Sequence, residues 1–150
     1  MDAEVYPNDE VSRFVNENFV PVRIHIKERP KDFERFKAEW TPTVIIAEAD
    51  GSERYRFSGF LPANDFLAEL RLGLAKAAFS RGKYDEAATD FRALLEKYPQ
   101  SEVAPEAMYW AGVSGYKATG KPDLLRETGE RLRAAYPQSA WAKKGSVWVQ

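Results

Sequence analysis

A chain of 150 residues has room for one ordinary hydrophobic core or two small packed units, and none for a large multidomain enzyme. Its 44% apolar and 30% charged residues suit a soluble globular protein without a membrane span, and the absence of cysteine excludes disulfides, thiolate metal sites and cysteine nucleophiles together. The net charge of −1 conceals an asymmetry, since residues 1–70 carry 9 Lys/Arg against 14 Asp/Glu and residues 71–150 carry 13 against 9, but the two signs are interspersed and form no basic stripe suited to nucleic acid.

Met1, Asp2, Ala3 and Glu4 have neither the basic nor the apolar region of a secretory signal, so the expectation is a cytoplasmic protein. Asn8 is placed to cap a helix with Val11, Phe14 and Val15 on its apolar face. Residues 20–26 then alternate Val20, Val22, Ile24 and Ile26 with Pro21, Arg23 and His25, the pattern of a half-buried strand. His25 is the only histidine and points with Arg23 and Lys27 away from the core; without a carboxylate or serine at a suggestive spacing, it is given no catalytic or metal role.

After Pro30 a short helix is expected to carry Phe33, Phe36 and Trp40 and to end at Thr41-Pro42, because proline restricts the residue before it. Residues 43–47 read as a strand, Ala49 to Ser52 as a turn around Gly51, and residues 53–58 as the returning strand of a hairpin. From Asn64 the period changes: Phe66, Leu70, Leu74 and Ala78 recur every four residues in a helix running unbroken to Ser80. Gly82 breaks it, and Tyr84, Ala87, Phe91, Leu94, Leu95 and Tyr98 mark the inner face of an antiparallel second helix that Pro99 ends. Ser101 is read as the cap of a third helix carrying Met108, Ala111, Gly112 and Tyr116. After Gly120 and Pro122, a fourth helix holds Leu125, Thr128 and Leu132 and stops at Pro137.

These helices repeat. Tyr98-Pro99-Gln100-Ser101 recurs as Tyr136-Pro137-Gln138-Ser139, an offset that Gly82 and Gly120 share, as do Trp110 and Trp148. Punctuation returning at one period marks stacked helical hairpins, with the residues after Ser139 as a single capping helix.

The helical half resembles tetratricopeptide repeats: Leu74, Ala75 and Ala78 occupy small positions, Gly82 and Tyr84 the turn, and Ala87, Phe91 and Pro99 the A-x-x-x-F…P spacing. It departs from the family at Arg71, where a tryptophan is common, and in the second unit at Pro122 and Gly129. The first half resembles the later part of a thioredoxin-like domain. Residues 19–26 stand for an inner parallel strand, Trp40-Thr41-Pro42-Thr43 for the cis-proline loop, and the Gly51 hairpin and Gly59 precede the last helix. The segment Met1 to Tyr6 looks like the continuation of the helix that a Cys-x-x-Cys begins in that family, so the resemblance implies a chain starting just after the active site.

The fold class expected is therefore α/β plus all-α: an incomplete thioredoxin-like sheet of about three strands over residues 1–75, then tetratricopeptide-like hairpins over residues 64–150, sharing the helix 64–80. The strand at 20–26 would lack its flanking strands and must pair with residues 43–47 or with a second copy, and the homodimer is the favoured expectation. The resemblance implies a redox-inactive interaction protein or co-chaperone-like adaptor with a protein or peptide partner, no cofactor, no metal and no enzymatic activity. The alternative is the C-terminal part of a thiol-disulfide oxidoreductase whose Cys-x-x-Cys lies upstream of Met1. By the thioredoxin-like resemblance, Thr41 and Pro42, with Gly59 nearby, would contact a bound peptide. Tyr84, Phe91 and Tyr109 are read mainly as core, while Trp110 and Tyr116 are the aromatics expected to serve the helical surface.

Overall fold

The computed structural model describes residues 3–150, which form seven helices, a two-stranded sheet and a terminal 3-10 turn. Residues 3–7 are turns and not the continuation of a helix; Met1 and Asp2 lie outside the described residues. Helix α1 (Asp9–Asn18) starts where the Asn8 carboxamide oxygen accepts from the amides of Glu10 and Val11, at 3.0 and 3.2 Å. Val5 and Val11 are buried at this end of the core.

The expected strand at residues 20–26 does not form. Residues 19–25 are neither helix nor strand, and of the alternating apolar side chains only Ile24 is half-buried, while Val20 is 92% and Val22 70% exposed. Alternation encodes a face but not the neighbouring strand that a ladder requires. Helix α2 (Pro30–Arg35) is also shorter than expected. Lys37 adopts a left-handed φ of 49°, the Lys37 amide donates to Glu34 and the Ala38 amide to Phe33, and this Schellman-type closure leaves Trp40 outside the helix and 69% exposed.

Strand β1 (Thr43–Ala47) pairs antiparallel with β2 (Glu53–Ser58), Val44 opposite Phe57 and Ile46 opposite Tyr55, with a register shift after Ile46. Among the described residues the sheet has these two strands and not three, and β1 has no neighbour on its other edge. Helix α3 (Ala63–Ser80) runs unbroken beneath the sheet and on into the helical half. Its buried residues surround it: Phe66, Leu70 and Gly73 serve the first half, Ala75 and Ala78 the second. A Cβ on Gly73 would lie 2.3 Å from Ile46 Cδ1 and 2.8 Å from Tyr55 Cδ1, so the missing side chain lets the sheet rest on the helix.

The remaining helices are α4 (Tyr84–Lys97), α5 (Ala104–Thr119), α6 (Asp123–Ala135) and α7 (Ala140–Gly145), followed by the 3-10 turn Ser146–Val149. Gly82 and Gly120 take matching left-handed φ values of 76° and 71°, so the sequence repeat is also a repeat of backbone geometry. On α4 the expected inner face holds, with Ala87, Phe91 and Leu94 buried and Leu95 half-buried. Ser101 is not the cap of α5, which begins three residues later; its hydroxyl instead accepts from the Val103 amide at 3.1 Å. Ser139 does cap α7, accepting from the Ala142 amide at 3.0 Å.

Side-chain contacts tie these elements together. The Arg71 guanidinium lies 4.5 Å from the centroid of the Phe14 ring, joining α3 to α1. Lys97 on α4 pairs with Glu10 on α1. Lys76 on α3 pairs with Glu106 on α5 at 2.8 Å and also stands 5.1 Å from the Tyr55 ring centroid on β2.

Candidate functional site

Thr41, Pro42 and Gly59 converge at one end of the sheet. The Thr41–Pro42 bond is cis, the Gly59 amide donates to the Pro42 carbonyl at 2.9 Å, and the Thr43 hydroxyl donates to the Trp40 carbonyl at 2.6 Å. The Pro42 carbonyl is thus already engaged within the chain. Thr41 is exposed, and Trp40 and Phe60 stand exposed nearby in sequence.

Trp110 and Tyr116 lie on α5 in the other half, so the five expected residues occupy two places and not one. Trp110 is half-buried, its ring centroid 5.1 Å from that of Phe79 and 6.4 Å from that of Trp141. Its indole nitrogen is buried without a hydrogen-bond partner among the described residues. Tyr116 is exposed at the C-terminal end of α5.

Sequence reasoning missed the hub of this aromatic cluster, which is Tyr109. Its ring contacts Trp110 at 5.5 Å, Trp141 at 5.1 Å and Trp148 at 4.7 Å, the last nearly parallel at 26°. Lys144 stands 3.9 Å from the centroid of Trp141. The recurrence of Trp110 as Trp148 was the available signal: both tryptophans flank the same tyrosine.

A second feature was not anticipated. Between residues 19–26 and the free edge of β1 lies an open groove of about 780 Å³, walled by Ile24, Val44 and Ile46 and floored by Val15, Phe66 and Leu70. It occupies the place where a ladder between 20–26 and β1 was expected.

Where the halves meet, the Tyr55 hydroxyl donates to Glu69 Oε2 at 2.5 Å. Burial pushes the Glu69 carboxyl above the ordinary range, opposed by that hydrogen bond and reinforced by Glu106. Burial and the Glu69 contact raise the Tyr55 phenol as well. At the hairpin turn Glu48 pairs with Arg81 at 2.7 Å and Arg54 at 3.0 Å, and hydrogen bonding from Arg81 holds its carboxyl below the ordinary range. Each of these contacts joins two elements. Among the described residues no group of three or more His, Asp or Glu side chains is placed to hold a metal ion, and no helix is long and apolar enough to cross a membrane.

Comparison with known families gives two matches. Residues 1–74 match the family model of a thioredoxin-like domain, and residues 72–140 that of a tetratricopeptide repeat. The changeover falls inside α3. The chain is thioredoxin-like and then tetratricopeptide-like, with no cysteine to carry thiol chemistry. No curated protein and no solved structure matches it.

Proposed function

We propose that this chain is a redox-inactive adaptor of co-chaperone-like type, whose helical half holds a protein or peptide partner. The observation that carries the reading is the half-buried cluster of Tyr109, Trp110, Trp141 and Trp148, with Tyr116 exposed further along the same helix. Large rigid aromatics offer contact area at small entropic cost, and stacked helical hairpins present such side chains on a continuous surface. The thioredoxin-like half contributes shape and the Thr41, Pro42 and Gly59 corner, but no electron transfer, since its residues include no thiol.

Affinity capture with the full chain and with Tyr116→Ala tests this. A partner retained by the parent and lost by the variant, at unchanged melting temperature, supports the adaptor. Identical captured sets, or reduction of a disulfide-containing reporter by the purified chain, would overturn it.

A further inference from the structure

We infer that Tyr109 of α5, with Trp141, Lys143, Lys144, Val147 and Trp148 of α7 and the 3-10 turn, forms a surface that binds a partner segment whose acidic side chains stand beside apolar ones. This rests on the adaptor reading and deepens it by naming the chemistry of the partner.

The apolar part of the surface is continuous and firmly seated. Trp141 and Trp148 flank the Tyr109 ring at 5.1 and 4.7 Å, all three rings are half-buried, and Val147 beside Trp148 is 60% exposed. Behind them α7 rests directly on α6: a Cβ on Gly129 would lie 2.7 Å from the Gly145 carbonyl oxygen. Aromatics held in place offer contact area at small entropic cost.

Charge selects the occupant. Residues 131–150 include Arg131, Arg133, Lys143 and Lys144 and no aspartate or glutamate, and all four basic side chains are exposed. Among the described residues none of the four is paired with a carboxylate. The Lys144 ammonium stands 3.9 Å from the Trp141 centroid, so cation and aromatic face occupy one spot. A carboxylate that pairs with Lys144 is brought against the Trp141 indole, and its apolar neighbour in the segment meets the rings or Val147. The acids of the adjoining helices are mostly engaged elsewhere. On α5 Glu106 pairs with Lys76 at 2.8 Å. On α6 Asp123 pairs with Arg126, and Glu127 lines a separate cleft against α4 and α5. That leaves Glu130, exposed and outnumbered by Arg131 and Arg133 in the same turn.

The test uses the full chain and three octapeptides, acetylated and amidated so that no terminal charge contributes: leucine alternating with glutamate, leucine with glutamine, and serine with glutamate. At low salt the leucine–glutamate peptide is expected to bind about fivefold more tightly than the glutamine peptide, as two exposed ion pairs imply. The serine peptide should not bind measurably, and the charge preference should vanish at high salt. Lys143→Gln combined with Lys144→Gln should remove the preference at unchanged melting temperature, and Lys144→Arg should keep it. Equal affinity for the glutamate and glutamine peptides would overturn the inference, as would no binding of either or a preference that survives loss of both lysines. Displacement of the peptide by oligothymidylate would assign the surface to nucleic acid and overturn it. Self-association of the parent that the lysine substitutions abolish would assign it to the acidic half of a second copy and overturn it too. None of these readouts uses Tyr116, so failure here and failure of the Tyr116-dependent capture are told apart.

Discussion

The hydroxyl of Tyr136 donates to the carbonyl of Pro99 at 2.7 Å, so the end of one helical unit is fastened to the matching corner of the preceding one. Tyr98, its counterpart in the repeat, is buried in the core. The same residue type therefore serves packing in one unit and stitching in the next. Tyr136→Phe is expected to lower stability by about 0.5–1.5 kcal/mol, the net worth of one hydrogen bond. Urea midpoints measure it; an unchanged midpoint would mean that water replaces the phenol at no loss.

Phe91 is fully buried between α4 and its neighbours, whereas Leu95, one turn on, is half-buried. Phe91→Ala should cost about 3–5 kcal/mol through lost burial and the cavity left behind. Leu95→Ala should cost less, about 1–2 kcal/mol, because part of its surface already meets water. Equal losses in chemical denaturation would show that the inner face of α4 is centred further toward Leu95.

How much of this architecture was legible depended on whether local chemistry or a distant partner decided the outcome. The Asn8 cap, the Gly51 hairpin and the breaks at Gly82 and Gly120 were readable, because each rests on residues a few positions apart. Residues 20–26 were misread because a strand needs a neighbour, which alternation does not supply. The early end of α2 was hidden because Lys37, a residue type that rarely takes positive φ, closes it. Arg71 looked like a departure from a family pattern, and its placement over Phe14 depends on a contact 57 positions away in the chain. At the candidate site, Thr41, Pro42 and Gly59 were brought together as their order along a hairpin suggested. Tyr109 was missed because helical periodicity alone cannot separate an aromatic in a core from one that organises a surface cluster.

The Glu69 carboxyl, buried against the Tyr55 hydroxyl, gives the fold a pH dependence of definite sign. Its folded value is raised, so the stability it contributes is complete below the ordinary value of 4.5 and is lost as pH rises through the folded value. Glu69→Gln keeps an acceptor for Tyr55 and removes the titration, so it should flatten the loss of stability above pH 4.5. Glu48 has the opposite sign: its folded value is lowered, and its contribution is lost as pH falls through that value. Glu48→Gln should therefore flatten only the acid limb. Denaturation midpoints across the acid-to-neutral range separate the two; a Glu69→Gln profile parallel to the parent would refute the assignment.

Gly73 offers the sharpest test of how the sheet is held on α3. In an exposed helix, replacing glycine by alanine would be expected to add about 1 kcal/mol of stability from propensity. Here the new Cβ meets Ile46 Cδ1 at 2.3 Å and two atoms of Tyr55 at 2.8 and 3.2 Å, all of them side-chain atoms of the sheet. Overpacking of this kind costs about 1–3 kcal/mol, so Gly73→Ala should be destabilising despite its favourable propensity. The closest clash is with the terminal methyl of Ile46, which Ile46→Val removes at a cost of about 0.5–1.5 kcal/mol by itself. The two substitutions should therefore be coupled, the double variant losing less than the sum of the single losses. Recovery should be partial, because Tyr55 still stands 2.8 Å from the added carbon. Simple additivity in a double-mutant cycle would mean that the sheet moves away from α3 as a unit, and that the contact between Ile46 and Gly73 does not set its position.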